Sequence, residues 1–250
     1  MTLPSSMEHA TPATPGIQRV VVRPAAGATP RWVVASDLPP EGPRRVLNVV
    51  VALVLLVLAT PIMLLLAIAV KLTSPGPVFY TQTRIGLDRR RDRSSHHRRV
   101  DDLGGKPFLI YKFRTMREDA EQSTGAVWAT ENDPRVTWIG RFMRLFRLDE
   151  LPQLLNVLQG EMNLVGPRPE RPGIFRDLTQ QIEHYQIRQR VRPGITGLAQ
   201  INQQYDTCIE DVKRKVEYDI AYIARHQSVW EDVKIMLKTF PVVLFRRGSR

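Results

Sequence analysis

The sequence predicts a helix-rich α/β fold with few short strands and one segment inside a membrane. Three observations predict it. Residues 46–70 form an apolar block without one formal charge, and about 20 apolar residues suffice to cross a bilayer as a helix. Residues 78–83 (Val-Phe-Tyr-Thr-Gln-Thr) and 108–113 (Phe-Leu-Ile-Tyr-Lys-Phe) are short runs of the β-branched and aromatic types that strands favour. Four later stretches, 139–158, 174–190, 208–225 and 229–240, space their apolar residues at helical intervals.

Residues 1–43 are rich in Pro, Ala, Thr and Ser, with turn formers at Thr14-Pro15-Gly16 and Pro39-Pro40-Glu41-Gly42-Pro43. No hydrophobic period persists there. The stretch reads as a disordered or loosely held tail, with 17–22 and 31–34 as runs able to pair. The membrane segment follows at 44–72. A core helix is rarely apolar on all faces over such a length, which favours lipid. Arg44 and Arg45 precede the block and Lys71 and Arg84 follow it, whereas a spanning helix carries its basic residues mainly on the cytoplasmic side. Pro61 near the middle removes a backbone hydrogen bond, and Thr60 can satisfy a freed carbonyl. The expectation is a re-entrant hairpin of two half-helices kinked at Thr60 and Pro61, with a single pass as the alternative.

Between the two strand-like runs lies an insert, 88–106, with six arginines and the pair His96-His97. It reads as a mobile surface loop. Adjacent histidines do not readily converge on one metal, so that pair is not taken as a site. The helical stretch 139–158 is interrupted by Pro152. The tail 241–250 mixes Val242, Val243, Leu244 and Phe245 with Arg246, Arg247 and Arg250, a composition suited to the headgroup region.

At 250 residues the chain accommodates one sizeable domain with appendages. Its 36 Lys and Arg against 25 Asp and Glu give a formal charge of +11, which attracts anions: nucleic acid, anionic lipid or a phosphorylated substrate. The single cysteine, Cys208, excludes an internal disulfide and a cysteine metal cluster, consistent with a reducing cytoplasm. The first long apolar block lies too deep in the chain for an ordinary signal peptide.

Three segments make better chemical than structural sense. In Leu148-Asp149-Glu150-Leu151-Pro152-Gln153, two adjacent carboxylates follow Arg141, Arg144 and Arg147, spaced about one helical turn apart. Cations so placed keep an Asp ionised and can hold a phosphate. In Val165-Gly166-Pro167-Arg168-Pro169-Glu170, two prolines hold Arg168 extended, either as a phosphate clamp or as a rigid turn pointing to solvent. In Arg192-Pro193-Gly194-Ile195-Thr196-Gly197, the glycines let backbone N–H groups approach an anion, or form a plain turn.

The ordered set Lys-Leu-Thr-Ser-Pro-Gly-Pro-Val-Phe (71–79), Tyr-Lys-Phe-Arg-Thr-Met (111–116), Leu-Asp-Glu-Leu-Pro-Gln (148–153), Asn-Val-Leu-Gln-Gly-Glu-Met (156–162), Val-Gly-Pro-Arg-Pro (165–169) and Arg-Pro-Gly-Ile-Thr-Gly (192–197) resembles the bacterial sugar transferases. These are the monotopic phosphoglycosyl transferases, and the resemblance covers roughly residues 44–245. It departs from the family at Thr60-Pro61, where Ser-Pro is usual, at Asn48, where an acid is common, and in the long arginine-rich insert.

The resemblance implies a re-entrant membrane helix at 44–72 and a cytoplasmic catalytic domain at 73–245 with interfacial amphipathic helices, followed by a basic tail at 246–250. It implies transfer of a sugar 1-phosphate from a nucleotide sugar, expected to be UDP-linked, to undecaprenyl phosphate with release of UMP. Such transfer initiates exopolysaccharide, capsule, O-antigen or glycoconjugate synthesis. Asp149 is the expected nucleophile, forming an aspartyl phosphosugar, and Glu150 its catalytic partner and a ligand of Mg²⁺ (or Mn²⁺), with Asp219 supporting the metal. Arg144, Arg168, Lys112, Arg114 and Arg192 are the expected phosphate binders. The expected location is the cytoplasmic face of a bacterial inner membrane, with homo-oligomerisation left open. A nucleic-acid-binding protein would need base-stacking aromatics or a reading helix, and the sequence offers neither, so no nucleic-acid partner is expected. A silent scaffold would not need an intact Asp149-Glu150 pair.

Overall fold

The computed structural model describes residues 20–22, 31–33, 41–88, 104–117, 120, 133–203, 208–225 and 228–244. The loop expected at 88–106, all but its ends, and the basic tail at 246–250 lie outside the described residues. So does most of the N-terminal tail, where β1 (Val20–Val22) and β2 (Arg31–Val33) pair with each other, antiparallel.

The apolar block lies in one helix, α1 (Gly42–Thr73), opened by a proline whose fixed φ suits a first turn. By length and composition it is long enough and apolar enough to cross a membrane. The expected two half-helices are not separate elements: the helix runs through Pro61, and Thr60 Oγ1 donates to the Leu56 carbonyl at 2.7 Å. A proline removes one N–H from the ladder, and the flanking turns keep theirs.

Burial along α1 is uneven. Arg44, Asn48 and Ala52 form one buried stripe near its start, Leu66 and Val70 a second near its end, and no residue between 53 and 65 is buried. The first stripe is polar and specific. Arg44 Nε meets Asp232 Oδ2 at 2.5 Å, and the Asn48 carboxamide accepts from Leu164 N–H at 2.5 Å and donates to the Arg44 carbonyl at 2.7 Å. Arg45 donates to the Val157 and Leu158 carbonyls at 2.5 and 2.7 Å. The second stripe is apolar and packs on Phe113, Ile139 and Met143. Both ends of the helix therefore rest on one body.

That body begins with the antiparallel pair β3 (Phe79–Ile85) and β4 (Pro107–Phe113), in register from Phe79 opposite Phe113 to Ile85 opposite Pro107. The helical stretch expected over 139–158 breaks before Pro152 as well as at it. Helix α2 (Trp138–Leu145) ends where Arg147 turns left-handed at φ 55°, a 3₁₀ turn covers Leu148–Glu150, and α3 (Gln153–Gln159) follows. A short strand, β5 (Asn163–Val165), leads to α4 (Pro172–Gln181). The helix expected over 174–190 stops near Ile182, and a 3₁₀ stretch Tyr185–Arg190 takes over after left-handed His184. Then come β6 (Gly194–Thr196), α5 (Leu198–Asn202), α6 (Ile209–Arg225) and α7 (Val229–Leu244), which continues past Pro241.

Strands β5 and β6 pair in parallel, a contact not foreseen from sequence. It joins the two glycine-containing motifs: Gly166 N–H donates to the Thr196 carbonyl and Gly194 N–H to the Pro167 carbonyl, both at 2.9 Å. A Cβ on Gly194 would stand 2.0 Å from the Gly166 nitrogen. The glycines thus serve a close backbone crossing, and the N–H groups of Gly166 and Gly194 are spent within the protein. Val157, Met162, Val165, Tyr222 and Ile235 form the core beneath.

Candidate active site

Asp149 and Glu150 share the 3₁₀ turn between α2 and α3, and both are buried. Buried carboxylates need partners, and the two are served unequally. Arg168 Nη2 lies 2.6 Å from Glu150 Oε1, with Nη1 3.5 Å from Oε2. Lys112 Nζ, on β4, lies 2.9 Å from Glu150 Oε1, and Arg147 Nη1 is 3.9 Å from Oε2. Asp149 has one long ion pair among the described residues, Oδ2 to Lys112 Nζ at 3.7 Å.

The protonation behaviour follows this division. Burial favours the neutral form of both. At Glu150, Arg168 and Lys112 outweigh burial and hold the carboxyl well below its ordinary range. At Asp149 burial wins over Lys112 and raises the pKa. Glu150 is a fixed anion in a cationic fork, while Asp149 is the more basic and less engaged of the two. A carboxylate in that condition is suited to forming a bond.

Arg144 and Arg168 both draw on the Asp149 charge. Arg144 is oriented by Thr115, whose Oγ1 accepts from its Nε at 3.0 Å. The Arg168 guanidinium pairs with Glu150 and does not point freely to solvent. Its backbone is held from two sides: Arg84 donates to the Pro169 carbonyl at 2.8 Å and Arg188 to the Arg168 carbonyl at 3.0 Å. Arg188 in turn donates to Asp219 at 2.6 Å and to the Tyr185 hydroxyl, and approaches Glu170 at 3.5 Å. Lys215 adds a 3.2 Å contact to Glu170, whose pKa falls to about 2 because Lys215, Arg188 and Arg84 overcome its burial.

The structure therefore brings together Asp149, Glu150, Lys112, Arg144 and Arg168. It engages three other expected site residues elsewhere. Arg114 donates to the Pro75 carbonyl at 2.6 Å and to the carbonyl and hydroxyl of Ser74, each at 2.8 Å, closing the turn after α1. Arg192 donates to the Gly160 carbonyl at 2.9 Å and pairs with Glu41. Asp219 is buried against Arg188 rather than beside Glu150. The sequence gives Arg188 and Lys215 no mark, and places Arg84 and Glu170 in motifs without assigning them a role in the site. Arg188 and Lys215 lie in helical patterns where a cation reads as solvated surface, and nothing in spacing marks Arg188 as buried or Lys215 as facing Glu170.

Among the described residues no three His, Cys, Asp or Glu gather as a ready metal cage. That donor set fits Mg²⁺ nonetheless, since this ion commonly takes one or two carboxylates and completes its shell with substrate phosphates and water. The Asp149-Glu150 pair offers such carboxylates.

The profile of the bacterial sugar transferase family matches residues 41–246. The chain is 43% identical over 210 residues to the UDP-glucose:undecaprenyl-phosphate glucose-1-phosphate transferase of Escherichia coli, covering 81% of this chain and 41% of that protein. It is 41% identical over 241 residues to the protein of the same description from Caulobacter vibrioides, covering 95% and 80%. A third relative, the UDP-N-acetylgalactosamine-undecaprenyl-phosphate N-acetylgalactosaminephosphotransferase of Aeromonas hydrophila, is 39% identical over 207 residues, covering 83% and 45%. The chain thus spans less than half the length of the first and third.

Proposed function

The chain belongs to the bacterial sugar transferase family, and from that premise we propose that it moves a sugar 1-phosphate from a UDP-sugar to undecaprenyl phosphate. The names of the relatives join those two substrates and differ in the sugar, glucose or N-acetylgalactosamine. The observation that carries the reading is the unequal acidic pair: a Glu150 whose Oε1 is held by Arg168 and Lys112 beside an Asp149 with one 3.7 Å ion pair among the described residues. An Asp149 oxygen attacks the β-phosphorus, and the bond from that phosphorus to the bridging oxygen breaks. UMP departs with the bonding electrons. An oxygen of undecaprenyl phosphate then attacks the same phosphorus and expels the Asp149 carboxylate, leaving a sugar diphosphate lipid.

Lys112, Arg144 and Arg168 offset the phosphate charge as the carboxylate approaches. Glu150 holds Lys112 and Arg168 in place for this and offers carboxylate oxygen to Mg²⁺ (or Mn²⁺), which when bound neutralises phosphate charge. The product starts an exopolysaccharide, capsule, O-antigen or glycoconjugate.

The uneven burial of α1 supports a re-entrant course. Its two ends dock on one body, while the stretch between them exposes Val54, Leu58 and Leu65. A straight helix of 32 residues would extend about 48 Å, longer than the hydrocarbon core, and would separate its ends across the bilayer. Docking of both ends on one body favours the same side for both, the cytoplasmic one. Exposed Trp138 and Phe142 on α2 and Trp230, Leu237 and Phe240 on α7 suit helices resting at the interface.

The test is UMP release by purified protein in detergent supplied with UDP-glucose or UDP-N-acetylgalactosamine and undecaprenyl phosphate. Wild type releases UMP, and Asp149→Asn releases none while keeping its melting temperature. Release by Asp149→Asn near the wild-type rate would remove Asp149 as the nucleophile.

A further inference from the structure

Residues 167–170 hold Arg168 between two prolines, and each of their four backbone carbonyls accepts a hydrogen bond from another part of the chain. Gly194 N–H donates to the Pro167 carbonyl at 2.9 Å and Ile85 N–H to the Glu170 carbonyl at 3.0 Å. The two carbonyls in between take guanidinium donors. Arg188 Nη2 donates to the Arg168 carbonyl at 3.0 Å and Arg84 Nη1 to the Pro169 carbonyl at 2.8 Å. Main-chain donors come with almost any sequence. The guanidinium donors come only with these two residues, and withdrawing cations from water is costly.

Both are themselves oriented. Arg188 is 3% exposed and divides its fork, with Nε on Asp219 at 2.6 Å, Nη1 on the Tyr185 hydroxyl and 3.5 Å from Glu170, and Nη2 on the Arg168 carbonyl. A lysine ammonium lacks that planar fork and cannot reproduce the set. Arg84 is steered by Gln82, whose Oε1 accepts from its Nη2 at 2.7 Å and whose Nε2 donates to the Tyr80 hydroxyl at 3.0 Å. Burial and the nearby Arg168 charge lower the Arg84 pKa to about 10, so Arg84 is kept beside Arg168 against repulsion.

What this cradle carries is a site residue. The Arg168 side chain is 32% exposed and reaches Glu150 at 2.6 Å. A long side chain with that freedom aims its guanidinium only as well as its backbone is fixed, and a displacement of about 1 Å can cost roughly a hundredfold in rate. We infer that Arg188 and Arg84 are positioning residues for the transfer: they fix the Arg168 backbone so that its guanidinium meets the substrate phosphate at Asp149. Asp219 acts one step further back, by orienting Arg188. The role rests on the transfer reaction proposed above.

Two double-mutant cycles on kcat/KM for UMP release test it, with the full chain in detergent. Arg188→Lys keeps a cation opposite Asp219 and gives up the fork, while Arg84→Met keeps the bulk and gives up the donor. Each should lower kcat/KM at least about fivefold in the otherwise wild-type chain. In an Arg168→Met background, read at high enzyme concentration, each should lower it less than twofold, because no guanidinium is left to aim. General damage to the fold, or direct contact of either residue with substrate, would instead repeat the loss in both backgrounds. A repeated loss, or single variants within twofold of wild type, would overturn the inference. Arg84 is half-buried, so Arg84→Met carries the test if Arg188→Lys does not fold. A wild type that releases no UMP would overturn the transfer reaction itself, a result distinct from repeated losses in an active enzyme.

Discussion

Removal of Asp232 tests whether the start of α1 is locked to the body formed by the rest of the described chain. Asp232 lies on α7, its Oδ2 2.5 Å from Arg44 Nε, with side-chain exposures of 2% and 3%. Tyr222 donates to its other oxygen at 2.8 Å. Breaking one side of a buried ion pair leaves an uncompensated charge and costs about 3–5 kcal/mol. Burial raises the Asp232 pKa despite Arg44, so part of the attraction is spent keeping it ionised, and the lower end applies. A loss of about 3 kcal/mol in a domain of this size lowers the melting temperature by roughly 6–12 °C. Thermal unfolding of Asp232→Ala in detergent reads this directly. Replacing both partners, Arg44→Met with Asp232→Leu, removes the stranded charge and should recover most of the loss. A shift under about 2 °C for Asp232→Ala, or a double variant no better than the single one, would refute the reasoning.

Three further outcomes follow from the same structure. Exhaustive chelation should stop UMP release and Mg²⁺ or Mn²⁺ should restore it; full activity after chelation would leave Lys112, Arg144 and Arg168 to neutralise the phosphates alone. Glu170 titrates at about 2 in the folded chain against an ordinary 4.5, so the folded state binds fewer protons between those values. Its contribution is fully present above about 4.5 and is lost as pH falls towards 2; the stability difference between wild type and Glu170→Gln should shrink over that window, and a constant difference would contradict the shift. Cysteines at Gly42, where a side chain meets open space, and at exposed Leu72, in a Cys208→Ser background, should both resist an impermeant thiol reagent in intact cells. Labelling of the Gly42 site alone would mean that α1 crosses the membrane.

The sequence by itself determined the elements whose cause is local. An uncharged run of that length at 46–70 can only be a lipid-facing helix or an all-round buried one, and α1 is helical and exposed through its middle. Runs of β-branched and aromatic residues likewise marked β3 and β4, helical apolar spacing marked α6 and α7, and the acidic pair stood out because regularly spaced arginines precede it. Tertiary structure decided what depends on distance. Arg168 and Arg192 sit in similar Pro-flanked motifs, yet one guanidinium reaches Glu150 and the other the end of α3, because parallel pairing of β5 with β6 aims the two loops differently. Arg188 and Asp219, 31 residues apart, become a buried pair only when the 3₁₀ stretch packs on α6. Spacing along a chain encodes which residues share a face of one element. It does not encode which faces of different elements meet, and the partners of a buried charge are decided there.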